Sequence, residues 1–92
     1  MHFQIPEPPS SKTKPRYVKV KPGSSVYVQL AYKGAPPPNY QWIKNGMPLE
    51  GQTGQALVID EVNSSHSGAY TCEMKNIAGS FVWEEVTVSV MP

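Results

Sequence analysis

The chain has 92 residues, enough for one domain with a single small core and too few for two. Hydrophobic residues make up 39% and charged residues 16%, which excludes a disordered chain, and a formal net charge of +1 excludes nucleic-acid binding through bulk basicity. No apolar run approaches the about 20 residues needed to cross a bilayer, so no membrane insertion is expected of this domain.

The first residues lack a signal-peptide core, because Gln4 and Pro6 interrupt Phe3 and Ile5. The sequence reads as a soluble piece that fits within a longer chain. Residues 1–14 carry Pro6, Pro8, Pro9, Ser10, Ser11, Lys12 and Lys14, and proline fixes φ and removes ladder donors. They are expected to form an extended linker or a frayed first strand, with the domain proper over 15–92. From Arg16 the pattern changes to period two. Tyr17–Lys21 is a predicted strand, ended by Pro22-Gly23-Ser24. Val26, Val28, Leu30 and Tyr32 then alternate with Tyr27, Gln29, Ala31 and Lys33, the signature of a strand buried on one face.

Pro36, Pro37 and Pro38 stiffen the next loop, and Asn39–Lys44 follows as a strand with Tyr40 and Trp42 on one side. Asn45-Gly46 turns the chain. Leu57, Ile59 and Val62 mark another strand; Ser67–Lys75 follows with Tyr70, Cys72 and Met74 inward. Asn76–Gly79 closes a hairpin, and the final strand runs from Phe81 to Val90. There is no helical periodicity and no internal repeat. The fold class is all-β, two antiparallel sheets packed as a sandwich.

Seven of the eight cations precede residue 46 and six of the seven acids follow it. With the first and last strands adjacent, Lys19 and Lys21 are expected beside Glu84 and Glu85, pairs worth ~0.2–1 kcal/mol each. A basic partner-binding arm is the alternative.

The spacing Gly23-x-x-Val26-x-Val28-x-Leu30, Gly34-x-Pro36-x-Pro38-x-x-x-Trp42-x-Lys44-x-Gly46, Leu57-x-Ile59 and Ser67-Gly68-x-Tyr70-x-Cys72-x-x-x-Asn76-x-x-Gly79 resembles an intermediate-set immunoglobulin domain over roughly residues 15–91. The resemblance implies a non-catalytic binding or structural module with no cofactor. It also implies a disulfide from Cys72 to the strand before Trp42, yet Leu30 stands there and Cys72 is the single cysteine. A bridge closing a loop of about forty residues contributes ~4 kcal/mol, and burying Leu30 returns ~1.5–3 kcal/mol of it. Leu30, Trp42, Tyr70 and Cys72 are the expected structural core. His66 stands where the family usually places an Asp.

An unpaired cysteine fits a reducing compartment, so a cytoplasmic setting in a cytoskeletal or signalling scaffold is expected. Asn63-Ser64-Ser65 is a glycosylation sequon, which keeps open the extracellular side of a membrane protein, an adhesion molecule or receptor. Cys72 with His66 is the only nucleophile–base pair to weigh, and a core cysteine is inert. His2, His66 and one thiol are too few ligands for a metal site.

The remaining candidate is a surface for a protein partner, with weak self-association a further expectation. Gln41 and Ile43 are expected to face solvent beside Glu73 and Lys75. Extending the register of Val86, Val88 and Val90 backwards adds Phe81 and Trp83 to an exposed apolar patch. The competing expectation is a bulge near Glu84-Glu85 that tucks Trp83 over the core.

Overall fold

Alternation of β-branched and aromatic residues with polar ones produces strands wherever one face can be buried. The computed structural model describes residues 5–92; the expectations placed on His2 and Phe3, and on the first residues of the linker, lie outside these. Among the described residues the strands are β1 (Glu7–Ser10), β2 (Arg16–Val20), β3 (Val26–Gln29), β4 (Lys33–Ala35), β5 (Asn39–Lys44), β6 (Met47–Pro48), β7 (Ala56–Ile59), β8 (Gly68–Asn76) and β9 (Gly79–Val90). A single 3-10 turn, Ser64–His66, interrupts them.

One layer is a five-stranded sheet in the order β2-β9-β8-β5-β6. The β3–β7 pair packs against it, their buried residues joining those of the larger sheet in one core cluster. Leu30, Trp42, Leu57, Cys72 and Met74 have no exposed surface, and Tyr70 is 1% exposed. Trp42 donates from Nε1 to the Gly54 carbonyl at 2.9 Å, so its polar atom is satisfied inside the core.

The single strand expected from Val26 to Lys33 is divided. β3 pairs with β7, and after the break at Leu30–Tyr32 the chain resumes as β4, which pairs with β1. β1 thus falls within the segment read as a linker or frayed first strand, and Pro9 is buried. Prolines are tolerated because β1 lies at a sheet edge, where a missing N–H leaves no ladder bond unmade. The close approach needs a glycine opposite. Gly34 has φ +127°, and a Cβ there would meet the Pro8 carbonyl oxygen at 2.7 Å. Asn76 completes the attachment: Nδ2 donates to the carbonyls of Glu7 and Pro36, and Oδ1 accepts from the N–H groups of Ala78 and Gly79.

One pairing in these otherwise antiparallel sheets is parallel. β2 runs parallel to β9, from Arg16 opposite Val86 to Val20 opposite Val90. Lys19 therefore lies opposite Ser89, and Glu84 and Glu85 precede the start of the pairing. The expected Lys–Glu pairs do not form. Among the described residues the ion pair is Lys75 with Glu73, at 3.5 Å.

Candidate interaction surface

The outward face of the five-stranded sheet follows from its register. Trp42 and Cys72 are paired and buried, so the flanking pairs Gln41–Glu73 and Ile43–Thr71 face away from the core. On β9, Tyr70 is opposite Val86, but Cys72 is opposite Trp83. Thr71 alone on β8 thus faces Glu84 and Glu85 on β9, one residue too many. That bulge reverses the phase of everything before it. Trp83 turns inward and is 2% exposed, Phe81 turns inward and is half-buried, and Val82 turns outward at 56% exposure.

The apolar patch of Ile43, Phe81 and Trp83 is consequently not assembled. Trp83 lies at the centre of the fold, its ring 6.0 Å from Trp42 in an edge-to-face arrangement at 73°. Its Nε1 donates to the Thr13 carbonyl at 2.7 Å, tying the segment before β2 to β9. Gln41 is half-buried, and its amide donates to the carbonyls of Trp42 and Leu49, both at 2.9 Å. What faces solvent is mixed: half-buried Ile43, exposed Val82 and exposed Tyr17 opposite Thr87, separated by Thr71, Glu73 and Lys75.

Two other features escaped the sequence reading. Tyr27 and Val58 form an exposed cross-strand pair on the β3–β7 layer, 62% and 40% exposed. Beside β7 lies a groove of about 460 Å³, lined by Leu49, Val58, Ile59 and Tyr70 together with Lys44 and Glu50. Lys44 sits 5.7 Å above the Tyr70 ring centroid and donates to the Ser65 carbonyl. The alternation of Val26-Tyr27-Val28 carried the signal for the first feature; the second arises between strands far apart in sequence.

The reactive groups are accounted for structurally. Burial pushes the Cys72 thiol up to about 11, aided by the Glu73 carboxylate and opposed by a backbone hydrogen bond from Gln41. Burial also raises the Tyr70 hydroxyl, which donates to the His66 carbonyl at 2.5 Å. His66 accepts at Nδ1 from the Asn63 N–H at 2.9 Å, while Asn63 Oδ1 accepts from the Ser65 N–H at 2.9 Å. This reciprocal cap gives His66 the backbone-holding role that a carboxylate plays at such turns. Among the described residues no three His, Cys, Asp or Glu side chains converge on a metal-sized space.

Known proteins point the same way as the geometry. A family model described as "Immunoglobulin domain" matches residues 8–76. Mouse hemicentin-2 is 34% identical over 83 residues, covering 89% of this chain. The human mucosa-associated lymphoid tissue lymphoma translocation protein 1 is 36% identical over 63 residues, covering 68%. The chain spans only 2% and 8% of those two relatives. Among solved structures, one chain of the complex between titin M10 and an obscurin-like 1 immunoglobulin domain superposes with a TM-score of 0.79 at 25% identity, over 94% of each chain. Two layers closed over a Trp–Cys pair, with a tyrosine hydroxyl fixing the turn before β8, carry that likeness in atoms, and the chain belongs to the immunoglobulin superfamily.

Proposed function

We propose that the chain is a docking and spacer domain within a longer multidomain protein of the cell interior, in a cytoskeletal or signalling scaffold. As an immunoglobulin domain it is not an enzyme. The observation that carries the spacer reading is where the chain enters and leaves. Asn76, the last residue of β8, holds Glu7, while Ser67, just ahead of β8, accepts from the Val90 N–H at 3.0 Å. The two ends are thus separated by a nine-residue strand, about 30 Å. Neighbours joined at both ends would lie in line.

The parallel β2–β9 pair gives that placement a mechanical consequence. Tension through both ends pulls β2 and β9 past one another, loading their registered pairs together in shear. Force spectroscopy tests this. Tethering through Glu7 and Val90 should need a higher unfolding force than tethering through Arg16 and Glu85, which peels the pair one bond at a time. Equal forces, or a reversed order, would end the spacer reading.

The docking half is supported by the outward face bearing Tyr17, Ile43 and Val82, and by titin M10 having been solved with an immunoglobulin partner. The intracellular setting is supported by Leu30 and Cys72, which fill with apolar contacts the space a bridge would span. One observation favours a second reading, an extracellular adhesion or receptor domain. Asn63 is exposed, and its cap uses Oδ1, so Nδ2 makes no bond among the described residues and is free to carry a glycan. Mass analysis of the native protein discriminates between the readings: an unmodified Asn63 with a free Cys72 thiol fits the first, and a glycan at Asn63 fits the second.

A further inference from the structure

Among the described residues β7 has a neighbour on one side only. β3 takes that side, pairing Val26, Tyr27, Val28 and Gln29 with Ile59, Val58, Leu57 and Ala56, and no described strand lies on the other. The bond from the Leu30 N–H to the Gln55 carbonyl, 3.2 Å, sets the phase of this ladder. Leu57 and Ile59 direct their backbone groups toward β3, so Ala56 and Val58 direct theirs outward. The Val58 carbonyl confirms that phase by accepting, on the outer side, from Gln52 Nε2 at 2.9 Å. The Val58 N–H has no comparable cover among the described residues.

Open edges invite pairing, and proteins blunt them with lysine, proline or very short strands. This chain does so at β1, β2 and β6. β1 carries Pro8 and Pro9, β2 carries Arg16 and Lys19, and β6 is two residues long and ends in Pro48. β7 reads Ala56-Leu57-Val58-Ile59, with no charge and no proline.

We propose that this edge pairs antiparallel with β7 of a second copy, joining two β3–β7 ribbons into one four-stranded sheet about a two-fold axis. An antiparallel edge is complementary to itself under that symmetry, with no second surface needed. Centring the pairing on Leu57 sets Val58 against Ala56 of the second copy. The same register sets Asp60 against Gly54 of the second copy, so no like charges meet. The Tyr27–Val58 rows of the two copies become neighbours on one face. Net charge is +1, so long-range repulsion between copies is small. The groove alongside carries charges of both signs, Lys44 with Glu50 and Asp60, and so presents no single-sign field to a charged foreign peptide. Gln52 must release the Val58 carbonyl for the pairing to form, which makes Gln52 the gatekeeper of this edge.

Sedimentation of the 92-residue chain over a range extending to millimolar concentration, with amide exchange measured at both ends of that range, tests the proposal. The expected result is a concentration-dependent dimer in which Val58 N–H protection rises with association. Val58→Lys should weaken the dimer about tenfold or more while leaving far-UV and near-UV dichroism unchanged. Gln52→Ala should tighten it. A chain that stays monomeric throughout overturns the proposal. So does a dimer that survives Val58→Lys with the parent's Val58 N–H unprotected, since association would then use another surface.

Discussion

Trp83 decides between two accounts of the same strand, so replacing it has an outcome that can be worked out in advance. Trp83→Ala removes a side chain 2% exposed, the edge-to-face contact with Trp42 at 6.0 Å, and the Nε1 bond to Thr13 at 2.7 Å. A core Trp→Ala change costs about 3–5 kcal/mol, of which the aromatic pair supplies ~0.5–1.5 kcal/mol and the hydrogen bond ~1 kcal/mol. A chain of this size has a total stability of about 5–14 kcal/mol. A loss near 4 kcal/mol therefore lowers the urea midpoint by about 2–4 M at a slope of ~1–2 kcal/mol/M. Far-UV dichroism is the suitable probe, because the substitution itself changes the fluorescence. Trp83→Phe keeps most of the apolar contact and loses only the Nε1 donor, so it should cost about 1–2 kcal/mol. Val82→Ser, on the outward side of the same strand, should stay within ~0.5 kcal/mol of the parent. An alanine variant within 1 kcal/mol of the parent, roughly the scale of an exposed site, would refute the bulged register.

Three further outcomes follow from the core and its attachments. Cys72 should resist alkylation in the folded chain near neutral pH; because its thiol ionises near 9.0 when unfolded and near 11 when folded, its contribution to stability should be constant below pH 9 and fall between 9 and 11, and Cys72→Ala should make the alkaline slope shallower in denaturant titrations, leaving the part due to the buried Tyr70 hydroxyl. Tyr40 carries a buried hydroxyl without a hydrogen-bond partner among the described residues, so Tyr40→Phe should leave the melting temperature unchanged or raise it, and a fall of several degrees would contradict that. Asn76→Asp keeps the acceptor for Ala78 and Gly79 but loses both donors to Glu7 and Pro36, so amide exchange in β1 and β4 should accelerate while β5 and β8 stay protected.

The sequence displayed the core more openly than the edges. Val26, Val28, Trp42, Tyr70 and Cys72 lie in strands whose alternation has one consistent phase, and each is at most 2% exposed. Once those phases are set, the two-layer packing follows, because an apolar face on each strand must meet another. β1 was harder to see. Pro8 and Pro9 argue against a strand by their lack of N–H donors, and what permits one is the missing Cβ of Gly34, a residue far along the chain. The direction of β2 was equally hidden, since Tyr17–Lys21 alternates the same way whether its neighbour runs parallel or antiparallel, and the misplaced Lys–Glu pairs followed from that.

The outward face was misread for a reason the residues themselves contain. Carrying the phase of Val86, Val88 and Val90 back without a break puts Phe81 and Trp83 in solvent, but it also puts Glu84 in the core. A carboxylate buried without a partner shifts its equilibrium toward the neutral acid or disrupts the packing around it, at a cost of several kcal/mol. Full burial of an indole, by contrast, gains about 2–3 kcal/mol. Both terms favour an extra residue at Glu84-Glu85, where the two carboxylates reach water opposite Thr71 and the indole turns inward onto Trp42. Two consecutive charges inside an otherwise alternating strand therefore mark where its phase changes. The exposed side of β9 is to be sought at Val82, one residue away from the tryptophan that hydrophobicity alone selects.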